Sequence, residues 1–282
     1  MLTFPGIQPV DYLLIGHITQ DITPEGNRLG GAVSFSGLTA HALGMRVGIV
    51  TSWAEECDPG ALSDLSIANQ LCDHSTTFEN VYLDTGRQQK IHSLAPKIDF
   101  YHIPESWRQP RIIHLAPVAQ EIPPNIVRHF THSDIYLSLQ GWYRQWDQEG
   151  LVSWADWPES GYILQQVNAA VLSEEDVNYN QDIINQMAAS VRILAVTKGA
   201  HGADIYTEGN IYTLPAPQIE TIDPTGAGDI FAATFFTQLS YTGNPLKAGE
   251  LAVQIASDSV RRTGLDSAPT EEILYQLMKE VQ

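Results

Sequence analysis

Basic residues are scarce in this chain of 282 residues: 15 Lys and Arg face 33 Asp and Glu, a formal net charge of −18. That balance excludes loose electrostatic attachment to nucleic acid or anionic lipid. Cysteine is nearly absent. Cys57 and Cys72 are too few for a disulfide framework and lack zinc-site spacing, so a reducing, cytoplasmic setting is expected. No run approaches the roughly eighteen consecutive apolar residues of a membrane span, and Met1-Leu2-Thr3-Phe4-Pro5 is neither basic nor long in apolar residues. Neither a leader nor a membrane partner is expected. There is no Asn-x-Ser/Thr, no His-Glu-x-x-His and no Gly-x-x-x-x-Gly-Lys-Ser/Thr, which excludes a zincin and a P-loop enzyme. Internal repeats and low-complexity linkers are also missing, and residues 1–282 read as one domain.

What is present is an alternation of short apolar runs with helical stretches, the pattern of a parallel sheet covered by crossover helices. The fold class is α/β. Runs at 12–15, 47–51, 112–115, 135–139, 169–172 and 193–197 are short and mostly apolar, as strands buried on both faces require. Segments 203–206 and 211–214 flank Glu208-Gly209-Asn210, a hairpin signal at one sheet edge. Further on, Phe231, Phe235 and Leu239 recur at helical spacing; Asn244-Pro245 caps a second helix, and Arg261, Arg262 and Gly264 mark its end. Residues 73–103 mix polar and apolar side chains around Thr85-Gly86, which predicts a small β excursion acting as a lid or a dimer contact.

The most informative stretch is Asp223-Pro224-Thr225-Gly226-Ala227-Gly228-Asp229, directly ahead of the Phe231 helix. Small residues let a ligand approach the backbone, and the free N–H groups of a helix start form an anion site, most often for phosphate. Asp229 falls in the first helical turn, placed to accept a proton from a hydroxyl attacking phosphorus. Read alone, the same residues also describe a tightly packed helix start with a favourable first-turn acid. Gly226-x-Gly228 lacks the third glycine of a dinucleotide fingerprint.

This motif resembles the hallmark Asp-x-Thr-Gly-Ala-Gly-Asp of the PfkB, ribokinase-like family of carbohydrate kinases. The resemblance extends to Gly16 and Asp21 after the first strand, to Gly30-Gly31 before a small-residue helix ending Ala42-Leu43-Gly44, to Thr197-Lys198-Gly199-Ala200-His201-Gly202, and to Ser259-Val260-Arg261-Arg262-Thr263-Gly264. It spans roughly residues 10–275. It implies a three-layer α/β/α fold with a mostly parallel central sheet and a small β lid. Asp229 is then the catalytic base, and Gly226, Ala227 and Gly228 form the anion hole. Thr197, Gly199, Gly202 and Thr225 hold ATP, with Lys198 nearby, and Asp21, Gly30 and Gly31 grip a hydroxylated acceptor. Turn closure for Asp21 and a simple bend for Gly30-Gly31 are the structural readings of the same residues.

The chain departs from the family at two points. Phe35 stands where the family often has Asn, five positions after the first glycine of the pair, with Ser34 as a substitute donor. The family's Asn-x-x-Glu becomes Ser173-Glu174-Glu175-Asp176, whose Glu175 and Asp176 would order Mg2+-bound water, or which simply starts a capped helix. Gln140 and Arg144 follow a strand end, where ligands collect in open parallel sheets, so they are acceptor or phosphate contacts. The aromatic group Trp142, Tyr143, Trp146, Trp154 and Trp157 reads as packing before it reads as a sugar platform. The expectation is a kinase of a small sugar or polyol, an inositol-like one included, and an exposed strand edge in the lid would favour a homodimer. A nucleoside or hydroxymethylpyrimidine-type kinase and a non-catalytic nucleotide-binding regulator are the competing readings.

Overall fold

The computed structural model describes residues 8–56, 58–83 and 86–280; residues 1–7, Cys57, Asp84, Thr85 and residues 281–282 lie outside them. The strands are β1 (Tyr12–Ile15), β2 (Thr19–Thr23), β3 (Gly26–Gly30), β4 (Val47–Trp53) and β5 (Ser66–Leu71). They continue as β6 (Thr76–Leu83), β7 (Gly86–Ser93), β8 (Ile112–Leu115), β9 (Asp134–Ser138) and β10 (Arg144–Trp146). The last five are β11 (Val152–Trp154), β12 (Ala169–Ser173), β13 (Ile193–Thr197), β14 (Ala203–Thr207) and β15 (Asn210–Leu214). The helices are α1 (Ala32–Ala42), α2 (Ser160–Leu164), α3 (Gln181–Ser190), α4 (Ala227–Thr242), α5 (Pro245–Ser259) and α6 (Glu271–Glu280).

Nine strands form the central sheet in the order β15-β14-β13-β12-β9-β8-β1-β4-β5. All neighbours from β13 to β5 are parallel, while β14 and β15 add an antiparallel edge. Strand alternation makes the sheet two-sided: Tyr12 and Leu14 enter one core with α1, α4 and α5, and Leu13 and Ile15 enter the other with α2 and α3. This is the three-layer arrangement that the resemblance implies, with its parallel strands at the apolar runs. The hairpin forms as its turn dictates, with Glu208 and Gly209 both left-handed at φ +51° and +75°. Asn244 caps α5 through the N–H groups of Leu246 and Lys247 at 3.0 and 3.1 Å. The other end corrects the sequence reading: α5 stops at Ser259, and Arg262 instead reaches back to Asp258 at 2.9 Å and to the carbonyls of Asp266 and Ser267.

The lid is larger than expected. It is a four-stranded sheet ordered β3-β2-β6-β7, so a first hairpin, β2–β3, joins the predicted excursion, which ends at Ser93 rather than residue 103. The pair β2–β6 is parallel, and the outer edge of β7 is covered by the chain itself through Ile91 N–H to the Gly150 carbonyl at 2.8 Å. The carboxyl ends of β1, β9, β12 and β13 lead into Gly16 and the lid, Gln140, Asp176 and Lys198 respectively, so the candidate residues gather along one edge of the sheet.

Candidate active site

The Asp223–Asp229 segment is built by its own side chains. Asp223 Oδ1 accepts the Thr225 N–H at 2.9 Å, and Oδ2 accepts the Gly264 N–H at 3.3 Å. The N–H groups of Ile222 and Asp223 both donate to the Val260 carbonyl, at 2.8 and 3.1 Å. Asp223 thus ties the loop to the end of α5, a structural role that sequence spacing alone does not separate from chemistry. Gly226 is left-handed at φ +81° and caps α4, which a side chain would strain. Of the three expected anion-hole residues, Ala227 donates its N–H to the Pro224 carbonyl at 3.2 Å, while the amides of Gly226 and Gly228 have no partner among the described residues. Gly228 is exposed, and a Cβ built on it meets nothing within 4 Å. Nothing in the protein requires glycine there, although alanine would favour the helix by about 1 kcal/mol.

Asp229 is half-buried in the first turn of α4, beside that open position. Loss of water around it pushes its carboxyl up to about 7; the Arg144 guanidinium opposes the rise, and the carboxylates of Asp176 and Asp21 add to it. Four of the predicted residues therefore share one electrostatic environment. Asp21 sits on β2 of the lid, and its carboxylate occupies the space a side chain on Gly30 would need, with Oδ2 only 2.3 Å from a Cβ built there. Arg144 Nη1 donates to the Val118 carbonyl at 3.1 Å, Gln120 donates to the Arg144 carbonyl, and the guanidinium lies 5.7 Å over the lid ring of Phe78. The turn carrying Val118 is fixed by Glu121, a buried carboxylate that accepts the N–H groups of His17, Val118 and Ala119 at 2.7–3.1 Å. Sequence reasoning missed Glu121, since a lone acid with no motif around it gives no signal.

Other predicted residues are placed differently. Ser34 is fully buried, and its hydroxyl donates to the Gly30 carbonyl at 2.7 Å, so it is not brought to the site. Gly31 and Gly202 have structural reasons to be glycine: both are left-handed, and a Cβ would strike the His17 carbonyl at 2.4 Å and the Leu214 carbonyl at 2.0 Å. Gly199 is left-handed with nothing within 4 Å, whereas Thr197 donates weakly to the Leu172 carbonyl at 3.4 Å. Lys198 pairs with Asp204 at 3.1 Å. Ser173 and Asp176 form a capping box, Ser173 N–H to Asp176 Oδ2 at 2.9 Å, and Gln140 Nε2 donates to Asp176 Oδ1 at 3.1 Å. Both oxygens of Asp176 are thus engaged and Glu175 is exposed; among the described residues no three His, Cys, Asp or Glu side chains converge to hold a metal. The aromatic group is packing: Trp142 and Trp157 stack at 4.9 Å, and both are buried with Tyr143.

Residues 168–272 match the profile described as "pfkB family carbohydrate kinase". A cytidine kinase from Thermococcus kodakarensis is 24% identical over 90% of this chain and 98% of its own length. A fructokinase from Escherichia coli is 27% identical over 89% of this chain and 91% of its own. A solved pyrophosphate-dependent kinase of the ribokinase family, complexed with a pyrophosphate analogue and myo-inositol, superposes with a TM-score of 0.77 at 19% identity over 91% of this chain and 98% of that one. The fold and these matches together show a PfkB carbohydrate-kinase domain at residues 168–272 within a ribokinase-like fold, and they indicate a phosphotransferase that acts on hydroxyl groups.

Proposed function

We propose that the protein transfers the terminal phosphoryl group of ATP to a hydroxyl of a small sugar or polyol at the start of α4. The observation that carries this reading is a half-buried carboxyl raised to about 7, Asp229, beside the open glycine 228 and its unpartnered amide. A carboxylate of ordinary acidity is a poor base; one near 7 takes a hydroxyl proton more readily and is still largely ionised at slightly alkaline pH. Asp21, Gly30, Gln140 and Arg144 face the acceptor. As the acceptor oxygen bonds to phosphorus and the bridging P–O bond of the donor breaks, the hydroxyl proton passes to Asp229. The amides of Gly226 and Gly228 and the positive end of α4 meet charge on the phosphoryl oxygens. Magnesium bound with the donor would neutralise phosphate charge, and Glu175 and Asp176 are the acids that would order its water.

A second donor deserves a test: Lys198 and Gly202 of the nucleotide loop are engaged within the protein, and a structural neighbour uses pyrophosphate. Release of ADP or of orthophosphate, followed across a panel of sugars, polyols and nucleosides with each donor, identifies both substrates. The Asp229→Asn enzyme is expected to lose about 100- to 10,000-fold in kcat with donor affinity nearly intact. Turnover close to wild type in that variant removes the assignment, and donor binding without turnover on any acceptor favours a non-catalytic regulator.

A further inference from the structure

Phe35, the residue that replaces a hydrogen-bonding Asn of the family pattern, takes no part in the chemistry above. It is 2% exposed, and its ring lies against Gly226: a Cβ built on that glycine falls 2.3 Å from Cδ1, 2.5 Å from Cε1 and 2.6 Å from Cγ. The ring thus fills the volume a side chain would need at the left-handed cap of α4. It also belongs to a small apolar cluster with Leu251, Ile255, Leu274 and Ile230, the residue that follows Asp229. One position along α1, the Ser36 hydroxyl donates to the Asp229 carbonyl at 3.1 Å. The head of the same helix is fixed on the acceptor side, where Gly31 lies under the His17 carbonyl and Gly30 makes room for the Asp21 carboxylate. One rigid element therefore touches both halves of the site.

We propose that Phe35, assisted by Ser36, is a positioning residue for phosphoryl transfer. Its ring sets the Gly226 peptide, and through it the Gly228 amide and the Asp229 carboxyl, at a fixed distance from the acceptor groups at the head of α1. The inference rests on the phosphoryl-site reading of Gly226–Asp229. Rate is sensitive to this kind of alignment, since a misplacement of about 1 Å can cost about 100-fold. A ring that only fills the core would lower stability and leave the chemistry of the folded fraction unchanged.

The test compares full-length Phe35→Ala, Phe35→Asn, Phe35→Leu and Ser36→Ala for Tm, kcat, acceptor KM, and binding of pyrophosphate as a probe of the phosphate site. In Phe35→Ala and Phe35→Asn, kcat should fall about 10- to 100-fold and pyrophosphate affinity about 10-fold, with acceptor KM within about threefold. Phe35→Leu, which still fills the space, should recover most of the loss and retain a deficit of about threefold or more. The proposal is overturned by folded Phe35→Ala with kcat and pyrophosphate affinity within about twofold of wild type, or by a defect confined to acceptor KM. Should the Ala and Asn variants fail to fold, wild-type kcat in both Phe35→Leu and Ser36→Ala overturns it equally. If the unsubstituted protein binds no pyrophosphate and Asp229→Asn turns over normally, the phosphoryl-site reading falls and takes this inference with it; with both controls intact, the Phe35 results judge the positioning role alone.

Discussion

A carboxyl that titrates near 7 leaves two signatures of opposite sign. The proposed general-base role needs the ionised form, so on that reading kcat/KM should rise with pH through a midpoint near 7 and level off above it, as a pH–rate profile with a saturating donor will show. Stability runs the other way. The unfolded carboxyl titrates near 3.8, so the native state carries no penalty below that pH, loses stability between about 4 and 7, and bears the whole cost above 7. Asn in place of Asp229 escapes this cost. After discounting for the solvent that still reaches the side chain, Asp229→Asn should be more stable than wild type by about 1–3 kcal/mol at pH 8, or several degrees in Tm, and no different at pH 4. A Tm difference independent of pH would show that the carboxyl is not raised.

Gly228 divides in the same way. Because its Cβ position is empty, Gly228→Ala should keep the fold and gain up to about 1 kcal/mol from helix propensity. A methyl group there stands where the donor phosphate would approach the backbone, so turnover should drop by about 10-fold or more. Equal activity with higher Tm would mean that no ligand comes close to this amide. Here the sequence was legible in kind but not in detail. Asp229 and its glycines stand out from spacing alone, whereas Asp223 as a clip to Gly264 and Phe35 as the floor under Gly226 depend on contacts between distant parts of the chain. Phe35 read as the loss of a donor because its partner lies on another helix.

At the scale of elements, legibility followed burial. The parallel strands were readable because two-sided burial makes them apolar, and β14–β15 because Glu208-Gly209 accepts left-handed backbone. Strand β2, Thr19-Gln20-Asp21-Ile22-Thr23, has one strongly apolar residue and pairs at long range with β6, so local patterning carries no sign of it. That strand brings Asp21 from the lid close enough to act on Asp229, and under the proposed function it makes the lid part of the acceptor site. Backbone amides of β2, β3, β6 and β7 should therefore exchange more slowly, by about 10-fold, when acceptor and a non-hydrolysable donor are both bound. Hydrogen-exchange mass spectrometry that finds protection only in α4 and not in these strands would detach the lid from the acceptor.

On the scale of the whole molecule, the charge of −18 bears on how an anionic donor arrives. Around the site, Arg144 and the start of α4 are positive, but the carboxylates of Asp176 and Asp21 act on Asp229, and Lys198, whose proton affinity Asp204 raises most and Glu174 further, is already paired within the protein. The local field is thus no exception to the negative surface. On the proposed function, a donor of several negative charges would approach against repulsion until it reached the amides of α4, and salt would screen that repulsion over about 10 Å at 0.1 M. Raising ionic strength from about 20 to about 200 mM should increase kcat/KM for the donor by about two- to fivefold and leave KM for an uncharged acceptor unchanged. A fall in donor kcat/KM over the same range would mean that Arg144 and the helix end dominate the approach path, and that the acidic surface plays no part in donor capture.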